Sequence, residues 1–482
     1  MMKKSIRYLL QRALQFKRSL WKSEEGSLLP LVAGSMIMLT GVAGLSIDGS
    51  RAFLVKDVLQ KSLDSAGLAA GHALSIDDMT NDAQEFFDAN IAAVQDLVSD
   101  SNMTITVNDD NSIITMTATA TIQASFTQIF GLSEITVSAN TEITRETRGM
   151  ELVIVMDNTG SMASSGKIGA AKEAAELLVE TVYGDDDTAE NLWVGVVPYV
   201  AHVNVGKTHE SWLTTAGKAK IDNGDYLPTE WKGCVFARDD GEDMTDTPPG
   251  DEPIEPWFWD DEVSASASNN WIDGSGNKTI VESNSRYYAK GPNRGCGQKI
   301  LPLVASKETV LDSIDEMAAW SFGGTASPVG LVWGWRVLSP RWQGLWGGET
   351  PAELPLAHDT PYMDKVLIIL TDGVNQFISR SSSLGGSDYT AYRTIAQWGY
   401  SNVTTARNAL DDKFDDICSN IKDDDIIIYA ITFGGSPDAS TQNAFENCAT
   451  KVVYYFHAPS NQELQDVFDT IGMQLSNLRL SK

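Results

Sequence analysis

Asp157, Thr159 and Ser161 place one carboxylate and two hydroxyl oxygens at alternate positions directly behind the apolar run Leu152-Val153-Ile154-Val155-Met156. One tight loop can turn all three inward, and hard oxygen donors of this kind suit Mg²⁺, Mn²⁺ or Ca²⁺. The same five residues also suit a plain strand-to-helix turn in which Asp157 caps the following helix. Two later stretches bear on that choice. Met363 to Leu370 is a second strand-like run that ends in Thr371-Asp372-Gly373, and Gly323-Gly324-Thr325 sets a glycine-flanked hydroxyl just before another helical pattern. Asp157, Thr159, Ser161, Thr325 and Asp372 then come from three loops at one sheet edge, and the expectation is a divalent-cation site. Mg²⁺ is the first candidate, with Mn²⁺ or Ca²⁺ as alternatives.

The elements that must position these residues are those of an α/β domain. Apolar, β-branched runs that stop abruptly in Asp, Thr and Gly read as buried strands with loops at their carboxyl ends, where open α/β sheets hold ligands. Between them Ile168, Ala171, Ala175, Leu178 and Val182 trace one helical face, and residues 191–199 read as the next strand. Beyond the second acid, residues 374–402 read as a polar loop beside the same edge. The pattern then continues as a helix over 407–421, a strand over 426–433 and a helix over 439–447, closing with a strand over 452–456 and a helix over 461–480.

Taken in this order, the three stretches resemble a von Willebrand factor A domain with its metal-ion-dependent adhesion site. The family pattern is Asp-x-Ser-x-Ser, then a Thr, then an Asp; here Thr159 stands at the first Ser. The resemblance implies a Rossmann-like domain, a mostly parallel sheet flanked by helices, over residues 149–482. It further implies direct ligation by Thr159, Ser161 and Thr325, with Asp157 and Asp372 acting mostly through water and one position open to an outside carboxylate. Residues 206–300, rich in Gly, Asp, Pro and Trp, interrupt the alternation and read as a large insertion. Within it Asp239-Asp240-Gly241-Glu242-Asp243 reads as a solvated run or a calcium loop, and Trp257-Phe258-Trp259 as a binding surface or a core.

Charge patterning sets the chain's surroundings. A net charge of −29, from 36 basic and 65 acidic residues, opposes nucleic acid as a partner. The first 26 residues run against that balance, holding Lys3, Lys4, Arg7, Arg12, Lys17, Arg18 and Lys22 against Glu24 and Glu25. No charge follows from Ser27 to Ile47, and Leu28 to Ile47 as a helix would span about 30 Å, the thickness of a bilayer's hydrocarbon core. This reads as a single membrane anchor over 27–48, with a cleaved signal as the competing reading. The basic excess ahead of it puts the arm, 1–26, in the cytoplasm and the rest outside. The arm itself reads as an amphipathic helix on lipid or as a solvated tail.

Ala52, Val55, Leu59, Leu63, Ala66 and Ala70 continue the helix outward as an amphipathic stem. A second helix follows, with Phe87, Ile91, Val94 and Val98 on its buried face and Asn81 with Gln84 as its cap. Strands are expected around Ile105 and Val107, over 113–125 and over 135–144, with a turn at Asn108-Asp109-Asp110-Asn111. Segment 49–148 therefore resembles a pilin or a TadE-like segment; a spacer domain is the alternative.

A narrower resemblance comes from Gly323-Gly324-Thr325 followed by Trp333-Gly334-Trp335-Arg336 and Leu338-Ser339-Pro340, which looks like the TadG-like proteins of the tight-adherence (Flp) pilus machinery. It implies a component of pilus assembly or anchoring in the bacterial inner membrane, its bulk periplasmic. The implied partners are pilus-assembly or pilin-like proteins that present an acidic side chain to the metal. A surface adhesin using the same site is the alternative. Gly334 between two Trp residues suits close approach of a helix to the sheet. Cys234 with Cys296, and Cys418 with Cys448, is the simplest pairing, and on the chain-entropy model loops of these sizes stabilise by about 3.5 to 4.3 kcal/mol each. No Cys-x₂-Cys pair supports a tetrathiolate zinc site, and the pairing implies an oxidising compartment. His72, His202, His209, His358 and His457 are scattered, with neither a Gly-x-Ser-x-Gly elbow nor a phosphate-binding glycine loop. The expectation is a protein without enzymatic activity; a metal-dependent hydrolase is the remote alternative.

Overall fold

The computed structural model describes residues 28–72, 76–108, 113–144, 149–189, 191–262, 269–285, 288–435 and 437–480. The basic arm and residues 109–111 of the expected turn lie outside them. The chain divides after residue 146 into two compact units.

In the first unit one helix, α1 (Leu28–His72), carries both the apolar stretch and the stem without a break. It is long and apolar enough to cross a membrane. Helix α2 (Ile76–Ile91) follows, then strands β1 (Val98–Val107), β2 (Ile113–Gln123) and β3 (Glu134–Thr144), paired antiparallel in that order. Period-two alternation buries Ile114, Met116, Ala118, Ala120 and Ile122 on one face of β2. Against that face pack Val55, Leu59, Leu63, Ala66 and Ala70 of α1, with Phe87 and Ile91 of α2.

Two expectations are corrected here. Helix α2 starts five residues before Asn81, which therefore lies inside it, and Gln84 donates to Asp88 at 2.9 Å instead of capping. Val98 opens β1 because residues 92–97 tighten to a 3₁₀ turn in which Val94 leaves helical geometry, at φ −122°. Asn108 remains in a turn-forming role, its side chain accepting from the Ile113 N–H at 2.8 Å.

The second unit is built on strand β4 (Gly149–Asp157), buried along its whole length. It continues with α3 (Lys167–Tyr183), β5 (Leu192–Tyr199), the short α4 (Thr215–Asp222), β6 (Leu301–Val304), α5 (Lys307–Asp315) and α6 (Ser327–Leu338). Then come β7 (Met363–Thr371), α7 (Val403–Asp423), β8 (Ile427–Phe433), α8 (Ala439–Cys448), β9 (Tyr455–Ala458) and α9 (Asn461–Leu480). The last strand lies three residues later than expected, since Val452–Tyr454 forms a 3₁₀ turn.

The sheet runs β9-β8-β7-β4-β5-β6, parallel except for β6. Counted from β4, that is the doubly wound order in which chain direction across the sheet reverses between β4 and β7. Alternate residues of β4 face opposite layers. Met150, Leu152, Ile154 and Met156 pack with α3, α5 and α9, while Val153 and Val155 pack with α6, α7 and α8. Side-chain caps start several of these helices: Ser306 accepts from the Thr309 N–H, Asn402 from Thr405 and Asp438 from Thr441.

At Gly334 helix α6 approaches the central strands of the sheet closely. A Cβ there would stand 2.6 Å from Val155 Cγ2 and 2.9 Å from Leu367 Cδ1. Gly334→Ala should therefore cost about 1–3 kcal/mol of stability, read as a lower urea midpoint. An unchanged midpoint would show that the layers can part freely.

Residues 205–300 hold little regular structure and pack around aromatic side chains. Trp257 and Trp259 are fully buried, so they form a core and not a binding surface. The acid run divides. Asp239 and Asp240 are exposed, whereas buried Asp243 accepts from Tyr392 Oη at 2.9 Å and from Lys413 Nζ at 2.8 Å. Asp243 is thus a fixed anchor between distant segments. The cysteines pair as Cys234–Cys296 and Cys418–Cys448, the second bridge joining α7 to α8.

Candidate metal centre

Asp157 ends β4 and Asp372 follows β7, its neighbour in the sheet, so both carboxylates emerge at the switch point of the strand order. Both are fully buried. The β4 loop is pinned on either side. The Asn158 N–H donates to the Tyr199 carbonyl at 2.8 Å, and the Asn158 carbonyl accepts from the Trp320 N–H at 2.8 Å.

Four of the five expected residues belong to one hydrogen-bonded chain. Asp157 Oδ1 accepts from the Thr159 N–H at 2.8 Å; the Thr159 and Ser161 hydroxyls lie 3.0 Å apart; Ser161 Oγ donates to Asp372 Oδ1 at 2.5 Å. Asp157 does not cap α3, whose N-cap is Gly166; it folds its own loop instead. Thr325 is placed differently. Gly324–Thr325 pairs antiparallel with Gln376–Phe377, just past Asp372, and the Ala326 N–H reaches the carbonyl of Val200 beyond β5. No hydrogen bond joins the Thr325 hydroxyl to the other four.

Two participants were not singled out from the sequence. Thr371 Oγ1 donates to Asp157 Oδ2 at 2.8 Å, and Lys167 Nζ, on the first turn of α3, donates to Asp372 Oδ2 at 2.8 Å. A hydroxyl beside an expected acid was legible as Thr-Asp-Gly. A lysine ten residues after Asp157 carried no such signal, because only the pairing of β7 with β4 brings Asp372 to it.

The electrostatics follow from burial. Desolvation, followed by the nearby Asp372 charge, pushes the Asp157 carboxyl up to about 7. Two buried carboxylates face one ammonium, leaving a deficit of positive charge among hard oxygen donors. This donor set fits a small divalent cation.

Sequence comparison places a family match at the other end of the chain: residues 26–73 match the model of the putative Flp pilus-assembly TadE/G-like family. No curated protein matches the chain in sequence. Among solved structures, the von Willebrand factor domain of the type V pili tip protein Mfa5 from Porphyromonas gingivalis is similar over 70% of this chain and 97% of its own, at 10% identity and TM-score 0.37. Proximal thread matrix protein 1 from the mussel byssus is similar over 69% of this chain at 13% identity and TM-score 0.31, and the pilus adhesin SpaC from Lactobacillus rhamnosus GG over 78% at 10% and 0.35. The chain spans 47% of that mussel protein and 33% of SpaC.

Proposed function

We propose that this chain is a membrane-anchored, extracytoplasmic component of tight-adherence (Flp) pilus assembly or anchoring, and that it docks partners through a divalent cation. The observation that carries the reading is the Asp157–Thr159–Ser161–Asp372 chain at the switch point of a doubly wound sheet. The TadE/G-like match over 26–73 supports the pilus assignment. On this reading the second unit is an A-type domain with an insertion at 206–300, and the first is a pilin-like or spacer segment. The anchor lies in the bacterial inner membrane with the basic arm cytoplasmic and the bulk periplasmic. Its role is assembly or adhesion and not catalysis.

Thr159 and Ser161, with Thr325, would hold the cation, Mg²⁺ first and Mn²⁺ or Ca²⁺ next, while Asp157 and Asp372 would fix its waters. When bound, the cation supplies a Lewis-acidic position for an Asp or Glu of a pilus-assembly or pilin-like partner. The chain's own part is to hold the oxygens in place and exclude bulk water. Thr371 and the Thr159 N–H fix both oxygens of Asp157.

Lys167 is the in-chain competitor of that cation, since its ammonium already lies on Asp372. Lys167→Met should tighten Mg²⁺ binding about tenfold or more, as a unit charge near 4 Å is worth about 4 kcal/mol at an intermediate dielectric. Isothermal titration calorimetry reads this directly; unchanged affinity would place the cation away from Asp372. For the function itself, Asp157→Ala in the chromosome should abolish pili while the variant remains in the inner-membrane fraction. Normal pili with unchanged Mg²⁺ affinity would refute metal-bridged docking.

A further inference from the structure

The first unit exposes three large apolar side chains within four residues: Ile129 at 74%, Phe130 at 60% and Leu132 at 59%. They sit on the turn between β2 and β3, built on a 3₁₀ turn over Thr127–Phe130. The turn lies against the apolar part of α1. A Cβ at Gly44 would fall 2.5 Å from Phe126 Cβ, and one at Gly41 would fall 3.1 Å from Phe130 Cζ. Gly41 and Gly44 belong to the uncharged stretch that ends at Ile47.

Asp48, the first charge after that stretch, latches the turn. Its buried carboxylate accepts from the N–H groups of Ser125 (3.2 Å), Phe126 (2.9 Å) and Thr127 (2.8 Å), and from the Thr127 hydroxyl at 3.1 Å. Arg51 donates to Ser125 Oγ at 2.5 Å from one turn further along α1. The charges Asp48 and Arg51 therefore stand at the water side, and the turn hangs from them toward the apolar side. Gly44 and Gly41 lie four and seven residues before Asp48, about 6 and 10 Å along the helix axis. No residue from Ser125 to Ser133 is charged.

We infer that the β2–β3 turn is a second membrane contact, inserting Ile129, Phe130 and Leu132 among the lipids of the outer leaflet beside α1. The inference rests on reading the apolar part of α1 as a membrane span. Lipid is the occupant because the exposed patch is continuous with the uncharged stretch and lies at its depth. Insertion by about 5–10 Å matches the depth at which interfacial apolar residues bury. The consequence is a two-point attachment: the span fixes position, and the turn fixes how α1 and its sheet rotate about the span.

The test uses the full-length protein in bilayers of phosphatidylethanolamine and phosphatidylglycerol. Single cysteines at Ile129 or Leu132 are labelled with an environment-sensitive nitrobenzoxadiazole dye; all four native cysteines are in disulfides and do not compete. Met36→Cys, read with lipids spin-labelled deep in the acyl chains, reports the span, and Thr119→Cys, exposed on the sheet, reports water. Blue-shifted emission and about twofold quenching by lipids spin-labelled near the headgroup are expected at 129 and 132, with none at 119. Quenching at 36 without quenching at 129 and 132 would overturn the inserted turn and leave the span standing. No quenching at 36 would overturn the span itself. Crosslinking of Leu132→Cys between two copies in place of lipid quenching would assign the patch to a second copy and also overturn the proposal.

Discussion

Lys365→Met should destabilise the protein by about 3–5 kcal/mol, because it strands a buried carboxylate. Lys365 on β7 and Glu151 on β4 are register partners across the central pair of strands, and their side chains form a buried ion pair. Lys365 also donates to the Leu338 carbonyl at 2.9 Å, and Glu151 accepts from the Leu356 N–H at 2.7 Å. Desolvation pushes the Glu151 carboxyl up and the Lys365 ammonium down, so each charge persists chiefly through the other. Removing both charges, as Glu151→Leu with Lys365→Met, should recover most of the loss, less about 1 kcal/mol for the orphaned Leu356 N–H. Guanidinium midpoints of the two single variants and the double variant decide the matter. A single-variant loss below about 1 kcal/mol would mean that water reaches the pair.

The second large effect is a pH dependence that depends on metal. In the folded, metal-free protein Asp157 is raised to about 7 from its ordinary 3.8, so between these values the native state keeps a proton that the unfolded chain has released. Its contribution to stability is complete below about pH 4 and is lost as pH rises through about 7, a loss on the order of a few kcal/mol. In chelator, therefore, thermal stability should fall from pH 4 to pH 7, and Asp157→Asn should flatten that fall. Saturating Mg²⁺ should offset it in the parent protein only, since the cation compensates the ionised pair. A chelated Asp157→Asn protein with the parent's pH profile would show that another group titrates there.

Apolar periodicity marked β4, β7 and α3 because a buried strand or helix face must repeat its apolar residues at its own period. The caps and turns of lower regularity were less legible. Asn81 looked like a helix start, but α2 begins earlier, at Ile76. Trp257 and Trp259 left two readings open, because bulk and aromaticity serve a core and a binding surface alike. Only enclosure by the disulfide-bearing segment separates the two.

What the amino-acid order determined by itself is local: one long helix with an uncharged first half, the strands and helices of an α/β unit, and acids and hydroxyls placed at strand ends. Spacing within a few residues dictates these, because backbone period and loop geometry act over that range. The tertiary structure decided which distant groups share a charge environment. Lys167 meets Asp372 across 205 residues, Lys365 meets Glu151 across 214, and Asp48 holds a turn 77 to 79 residues away. Pairings of that kind depend on strand order and on where water is excluded, and neither quantity is written in any short stretch of sequence.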